Sequence, residues 1–451
     1  MNLLNIIRGF DGELYDYFEK ELERQYYSLS FIPDENSISP LCSATMGSVM
    51  VNAQPLSAFA QHKSLEQLAV ERICQLFNGE HANVKTITIE DASRVVFQAL
   101  VQRSDVVMSL DNRKQEHCNS ESLAYRFVNF GLDPDTQKLN LDAIEEQVKA
   151  TKPKLVIVSP INYPLPVDYE RFAQIAHEVG AVFWCDISQV AGLITAHALP
   201  SPLPHADIVT FTTQGALQGP RSSVIICKNK YASAIDRSAV ALGHSGLGSS
   251  ELAALCVHMR EMQTEEYKDY CHNVVVNAES LAAGLRESGM KLIGGGTSSH
   301  FVVIDAKHCG LSARGALEIL ADCGIMVRNC QVLTADPNTK FDAVRFSSLP
   351  VTTRGISADQ IHKLGIAIGK FLSNPSTDNE AMLQTLVRET AVLLPNYHDR
   401  WLCEVVRDNL ERNNFLVGSS DSTRIANRSR LSKLVKGAGK VLHSHHEQND
   451  E

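Results

Sequence analysis

Sixteen histidines and eleven cysteines are the first groups in this chain that could do chemistry. The cysteines stand at Cys42, Cys74, Cys118, Cys185, Cys227, Cys256, Cys271, Cys309, Cys323, Cys330 and Cys403, with no C-x-x-C pair among them. An odd, scattered set reads as free thiols in a reducing compartment. His443, His445 and His446 carry metal-ligating rings, but polar chain ends seldom hold a fixed geometry, and no metal site is expected. The glycines at 294–296 lack the strand–glycine–helix context of a nucleotide loop and read as a turn. The run RIANRSRLSKLVKGAGK is basic enough to meet an anionic lipid, RNA or an acidic partner, although a solvated basic face is the plainer reading.

Composition narrows the class of protein. Lys+Arg 42 against Asp+Glu 52 leaves a net charge of −10, which favours solubility and argues against nucleic acid as a partner. At 451 residues the chain exceeds one compact core, so two or three units are expected. The start, MNLLNIIRGFDGELYDYFEK, meets Asp and Glu too early for a secretory signal. No apolar run reaches the ~18 residues a membrane span needs. The expectation is a cytoplasmic protein.

The positioning elements follow from periodicity. Residues 1–45 read as a helical arm and a loop, with Leu14, Tyr17, Phe18 and Leu22 at helical spacing. Residues 65–77 form a clean amphipathic helix. Helices and short β-branched strands then alternate: VVFQALV, DVVMSL, LDAIEEQVKAT, KLVIVS, YERFAQIAHEVG and AVFWCD. DIVTFTT and SSVIICKN are further strands. This pattern predicts α/β architecture, a mostly parallel sheet covered on both faces, over residues 46–280. A long helix spans about 249–287. GMKLIGG, HFVVIDA, IMVRN and AVRFSS then read as strands around a helix near 312–323, a smaller α+β domain over 281–373. SNPSTDN reads as a linker, and 374–451 as a separate helical and basic tail. In that tail Trp401, Leu402, Val405, Val406 and Leu410 form a helical stripe for the main body or a protein partner.

Three strings narrow the family. KPKLVIVSPINYPLPVDYERFAQIAHEVGAVFWCDISQVAGL, HADIVTFTTQGALQGPRSSVIIC and AVRFSSLPVTTRG resemble the serine hydroxymethyltransferase family, in matching order and spacing from about residue 32 to 373. The resemblance implies the fold type I plan of pyridoxal-phosphate enzymes, built as a dimer with sites at the subunit interface. It also implies a lysine after a histidine, following a run of threonines. Here the run is Thr210, Thr212 and Thr213, and the next residues are Gln214 and Gly215. Glycine cannot form the Schiff base that holds the coenzyme. Lys228 and Lys230 stand past the end of the next strand, and Gly219-Pro220-Arg221 pins the register.

Other family positions differ too. The Ser-Gly-Ser that would cup the phosphate at a helix N-terminus is Thr88, Ile89 and Glu90 here, and Glu90 would repel it. The family's neighbouring-subunit Gly-Gly becomes Ser245-Gly246. The acid/base loop rich in Tyr and Gly is replaced by NAQPLSAFAQHKS, with neither Glu nor Tyr. Asp186 matches the partner of the pyridine nitrogen, His117 the ring-stacking histidine, and Arg345 the arginine that grips the substrate carboxylate. Tyr163-Pro164 and Arg221 also match, whereas the histidine after the aspartate is Gln189. Each survivor has a bland counterpart: Asp186 as a local cap, His117 as a loop residue, Arg345 as an ion-pair partner, and Thr352 to Gly355 as a turn and helix start.

The losses together predict no cofactor, or pyridoxal phosphate held only non-covalently. The leading expectation is a pseudoenzyme with a scaffold or binding role. It would be a homodimer, or a heterodimer with an active family member. A second reading is altered chemistry on an amino acid or other carboxylate in the old pocket. A third is residual folate-linked hydroxymethyl transfer between glycine and serine.

Overall fold

A computed structural model describes residues 3–53, 64–110, 125–336 and 339–395. The core element is a seven-stranded sheet in the order His81–Thr86, Ser223–Cys227, Ile208–Thr212, Val182–Asp186, Leu155–Val158, Val106–Leu110, Arg126–Phe130. The strands from Ile208–Thr212 to Arg126–Phe130 pair in parallel, and Ser223–Cys227 runs antiparallel to both neighbours. The mostly parallel α/β sheet expected from the β-branched runs is therefore present. Alternation divides each strand between two faces. Val156 and Val158 join a core with Phe172, Phe183 and Phe211, while Leu155 and Ile157 join one with Phe97, Trp184 and Ile235. Helices Ile89–Leu100 and Asn229–Ala241 belong to the second face.

Two edge pieces of this sheet, His81–Thr86 and Arg126–Phe130, carry too many polar residues to announce themselves as strands. The single long helix expected over 249–287 is two helices, Ser249–Glu261 and Glu265–Glu287. The chain breaks between them because Thr264 accepts from the Tyr267 N–H and starts a new helix there.

The smaller unit has three antiparallel strands in the order Arg328–Leu333, Lys340–Ser347, Phe301–Asp305. GMKLIGG is not one of them. Leu292 makes an isolated bridge to Ile304, and Ile293–Gly295 is a 3-10 turn. IMVRN splits, because Ile325–Met326 pairs in parallel with Leu29–Ser30 of the N-terminal segment. Position 374 falls between two helices, Ala358–Ser373 and Thr377–Leu393, that share one core: Leu364 and Ile368 meet Leu383, Val387 and Ala391. The stripe from Trp401 to Leu410, the basic run and His443, His445 and His446 lie outside the described residues.

Candidate functional site

In open α/β sheets, binding sites form beyond the carboxyl ends of the parallel strands. Asp186 ends the strand Val182–Asp186 and is buried, and its Oδ1 accepts from the Ser188 N–H at 2.9 Å. The next strand ends at Thr212, where the Thr212 N–H donates to Ser188 Oγ at 3.2 Å. Beyond it, residues 213–222 form a closed turn. The Thr213 N–H donates to the Ser222 carbonyl at 3.0 Å and the Gly219 N–H to the Thr213 carbonyl at 2.7 Å.

Gly215 opens the 3-10 turn Gly215–Leu217 of that segment. Its φ is +62°, a left-handed conformation natural to glycine. A Cβ there would lie 3.2 Å from the Pro33 carbonyl oxygen. The Gly215 carbonyl accepts from Asn36 Nδ2 at 2.8 Å. Gly192 supports the turn from below, its backbone so close that a Cβ would stand 2.3 Å from the Ala216 carbonyl. Gln214 is exposed, as is Arg221.

Lys228 and Lys230 belong to the other end of the sheet. Lys230 Nζ lies 3.0 Å and Lys228 Nζ 3.8 Å from Oδ1 of buried Asp207, which precedes the strand Ile208–Thr212. Five strand residues, roughly 17 Å, separate that end from Thr213.

Thr88 and Glu90 sit at the start of helix Ile89–Leu100. Thr88 Oγ1 accepts from the Asp91 N–H and Asp91 Oδ2 accepts from the Thr88 N–H, each at 3.2 Å. Ser223 Oγ donates to the Thr88 carbonyl at 2.7 Å. This reciprocal capping box uses the helix N-terminus on the protein's own carboxylate, and Glu90 adds a second negative charge to the first turn.

Arg345 lies on Lys340–Ser347, 3% exposed. Its Nη1 donates to the Ile161 carbonyl and reaches Asn162 Oδ1 at 3.5 Å. The guanidinium lies 5.5 Å from the centre of the Phe301 ring. Beside it, burial and then the Arg345 charge push the His300 imidazole down to about 3. Tyr163 is buried and Gln189 half-buried. Gly246, next to Ser245, has a φ of +102°. Thr352 and Thr353 end a short helix, Leu349–Thr353, rather than starting one. His117 and most of NAQPLSAFAQHKS, residues 54–63, lie outside the described residues.

Sequence reasoning missed a polar knot. Asn36 Nδ2 also donates to Tyr270 Oη at 3.1 Å, and Thr353 Oγ1 donates to Asn36 Oδ1 at 2.7 Å. No local pattern marks these residues, because they come from three distant segments.

The seven-stranded sheet with its one antiparallel strand, covered on both faces and joined to a small α+β unit, is the fold type I plan shared with pyridoxal-phosphate transferases. The family model for serine hydroxymethyltransferase matches residues 7–368. The chain belongs to the serine hydroxymethyltransferase family. Among the described residues, no helix is long and apolar enough to cross a membrane.

Proposed function

We propose that this family member has given up covalent pyridoxal-phosphate chemistry and serves as a binding or scaffold protein. The observation that carries the reading is the geometry at Gly215. The position the resemblance gives to the Schiff-base lysine has no amine, adopts a left-handed backbone and has the Pro33 carbonyl across from it. The capping box at Thr88 and Asp91 supports it independently, since an incoming phosphate would meet two carboxylates. Asp186 alone does not make a coenzyme site. The residues at these positions do not fit pyridoxal phosphate.

The second reading, a pocket that takes a carboxylate through Arg345, draws less support. That guanidinium already donates to the Ile161 carbonyl and packs on Phe301. A homodimer, or a heterodimer with an active relative, accords with exposed apolar side chains such as Phe10, Tyr17, Val49 and Val51, which a partner would cover.

The test is direct. The purified chain is mixed with pyridoxal phosphate, reduced with borohydride and analysed by mass spectrometry and visible absorbance. No aldimine band and no pyridoxyl-lysine peptide are expected. A reduced adduct together with serine cleavage would overturn the proposal. A thermal-shift screen of amino acids and folates, repeated on Arg345→Ala, separates the scaffold from the carboxylate pocket. Light scattering after co-expression with an active relative reads the assembly.

A further inference from the structure

Cys42, His258 and Glu261 bring a thiol, an imidazole and a carboxylate to one point, with their ligand atoms all within 4.8 Å of one another. Cys42 lies on helix Pro40–Met46 and the other two lie one turn apart on Ser249–Glu261. Cys42 and His258 are fully buried, and the Glu261 side chain is 12% exposed. Ser39, which caps the first helix, donates to Glu261 Oε2 at 2.5 Å.

The hydrogen bonds orient the ring. His258 Nε2 faces the Leu217 carbonyl, which only accepts, so Nε2 carries a proton. Nδ1 then faces Glu261 Oε2, another acceptor, at 2.8 Å. Two such atoms this close in a buried site need a proton or a metal ion between them, and the Cys42 thiol beside them donates to the Ala254 carbonyl at 3.4 Å. A histidine that gives its other N–H to a backbone carbonyl is the outer-shell arrangement of metal ligands. Thiolate, imidazole and carboxylate together suit zinc.

We propose that Cys42 Sγ, His258 Nδ1 and a Glu261 carboxylate oxygen bind one Zn2+, with the fourth position filled by the Ser39 hydroxyl or water. The ion staples the N-terminal segment to helix Ser249–Glu261 and, through His258, to the turn at Gly215–Leu217. Two ligands of a tetrahedral zinc stand roughly 3.4 Å apart, so Glu261 swings outward by about half an ångström on binding. Binding releases the Cys42 thiol proton and any proton on Nδ1 to solvent. Nothing in this site depends on the reading of Gly215.

The full-length protein, stripped with chelator, is titrated with Co2+ and then Zn2+. One Co2+ per chain is expected, with a thiolate-to-cobalt charge-transfer band that Zn2+ abolishes, and zinc raises the melting temperature. Cys42→Ser removes the band, and Glu261→Gln weakens affinity by more than about 10-fold. Circular dichroism checks folding of each variant, and Glu261→Gln decides if Cys42→Ser does not fold. The proposal is overturned by no charge-transfer band, meaning that a proton holds the cluster. It is equally overturned by a band unchanged in Cys42→Ser, or by cobalt bound without thiolate character, as capture by His443, His445 and His446 would give.

Discussion

Asn36 Nδ2 donates to the Gly215 carbonyl at 2.8 Å, while Asn36 Oδ1 accepts from Thr353 Oγ1 at 2.7 Å. One side chain of the N-terminal segment therefore ties the turn beyond the large sheet to the end of helix Leu349–Thr353. Tyr270 Oη, 3.0 Å from Thr353 Oγ1, closes the knot. The Gly215 turn is held by its carbonyl and bounded by Pro33, so its backbone is poorly free to accept another residue.

Restoring the lysine should not restore the enzyme. Gly215→Lys puts a side chain on a residue at φ +62°, costing about 1–2 kcal/mol, and crowds the Pro33 carbonyl. A lower melting temperature and no pyridoxyl-lysine after borohydride are expected. A stoichiometric adduct at position 215 in a fully folded variant would show that the turn opens readily.

Thr88→Ala removes the hydroxyl that caps helix Ile89–Leu100 and should cost about 1 kcal/mol in urea unfolding. It should not create phosphate affinity, because Glu90 and Asp91 keep their charges at the helix start. Calorimetry with inorganic phosphate checks this, and measurable binding by the variant would contradict the electrostatic account.

His300 predicts a pH dependence with a definite sign. Its folded value of about 3 lies below the ~6.5 of an unfolded histidine, so the unfolded chain binds the extra proton between them. The stability from neutral, buried His300 is whole above pH ~6.5 and declines as pH falls toward 3. Urea midpoints should drop more steeply for the native protein than for His300→Asn between about pH 6.5 and 4. Parallel profiles would assign the acid sensitivity to other groups.

Arg354 is 8% exposed and donates to four carbonyls: Ser28 at 2.8 Å, Ala391 at 2.8 Å, Leu394 at 3.3 Å and Pro395 at 3.3 Å. Arg354→Ala removes these four bonds, leaving the Ala391 carbonyl only the Leu394 N–H, and should cost about 2–4 kcal/mol. Limited proteolysis should then cut first around helix Thr377–Leu393, while fluorescence from Trp184, deep in the large sheet and read in a Trp401→Phe background, stays native. Unchanged cleavage would mean that Leu383, Val387 and Ala391 alone anchor the helix.

The sequence by itself determined the alternation of buried strands and covering helices, since β-branched runs such as LVIV at Leu155–Val158 can only be buried on both faces. It also determined the family and which residue type stands at each site position. Local pattern does not report partners. It missed the polar edge strands, the break at Thr264 and the sharing of one core by Ala358–Ser373 and Thr377–Leu393. The tertiary structure alone decided that Asn36 meets Gly215 and that Cys42 reaches His258 and Glu261. Those meetings join segments far apart in the chain, and their energy comes from desolvated polar groups finding partners only once the surrounding elements have packed.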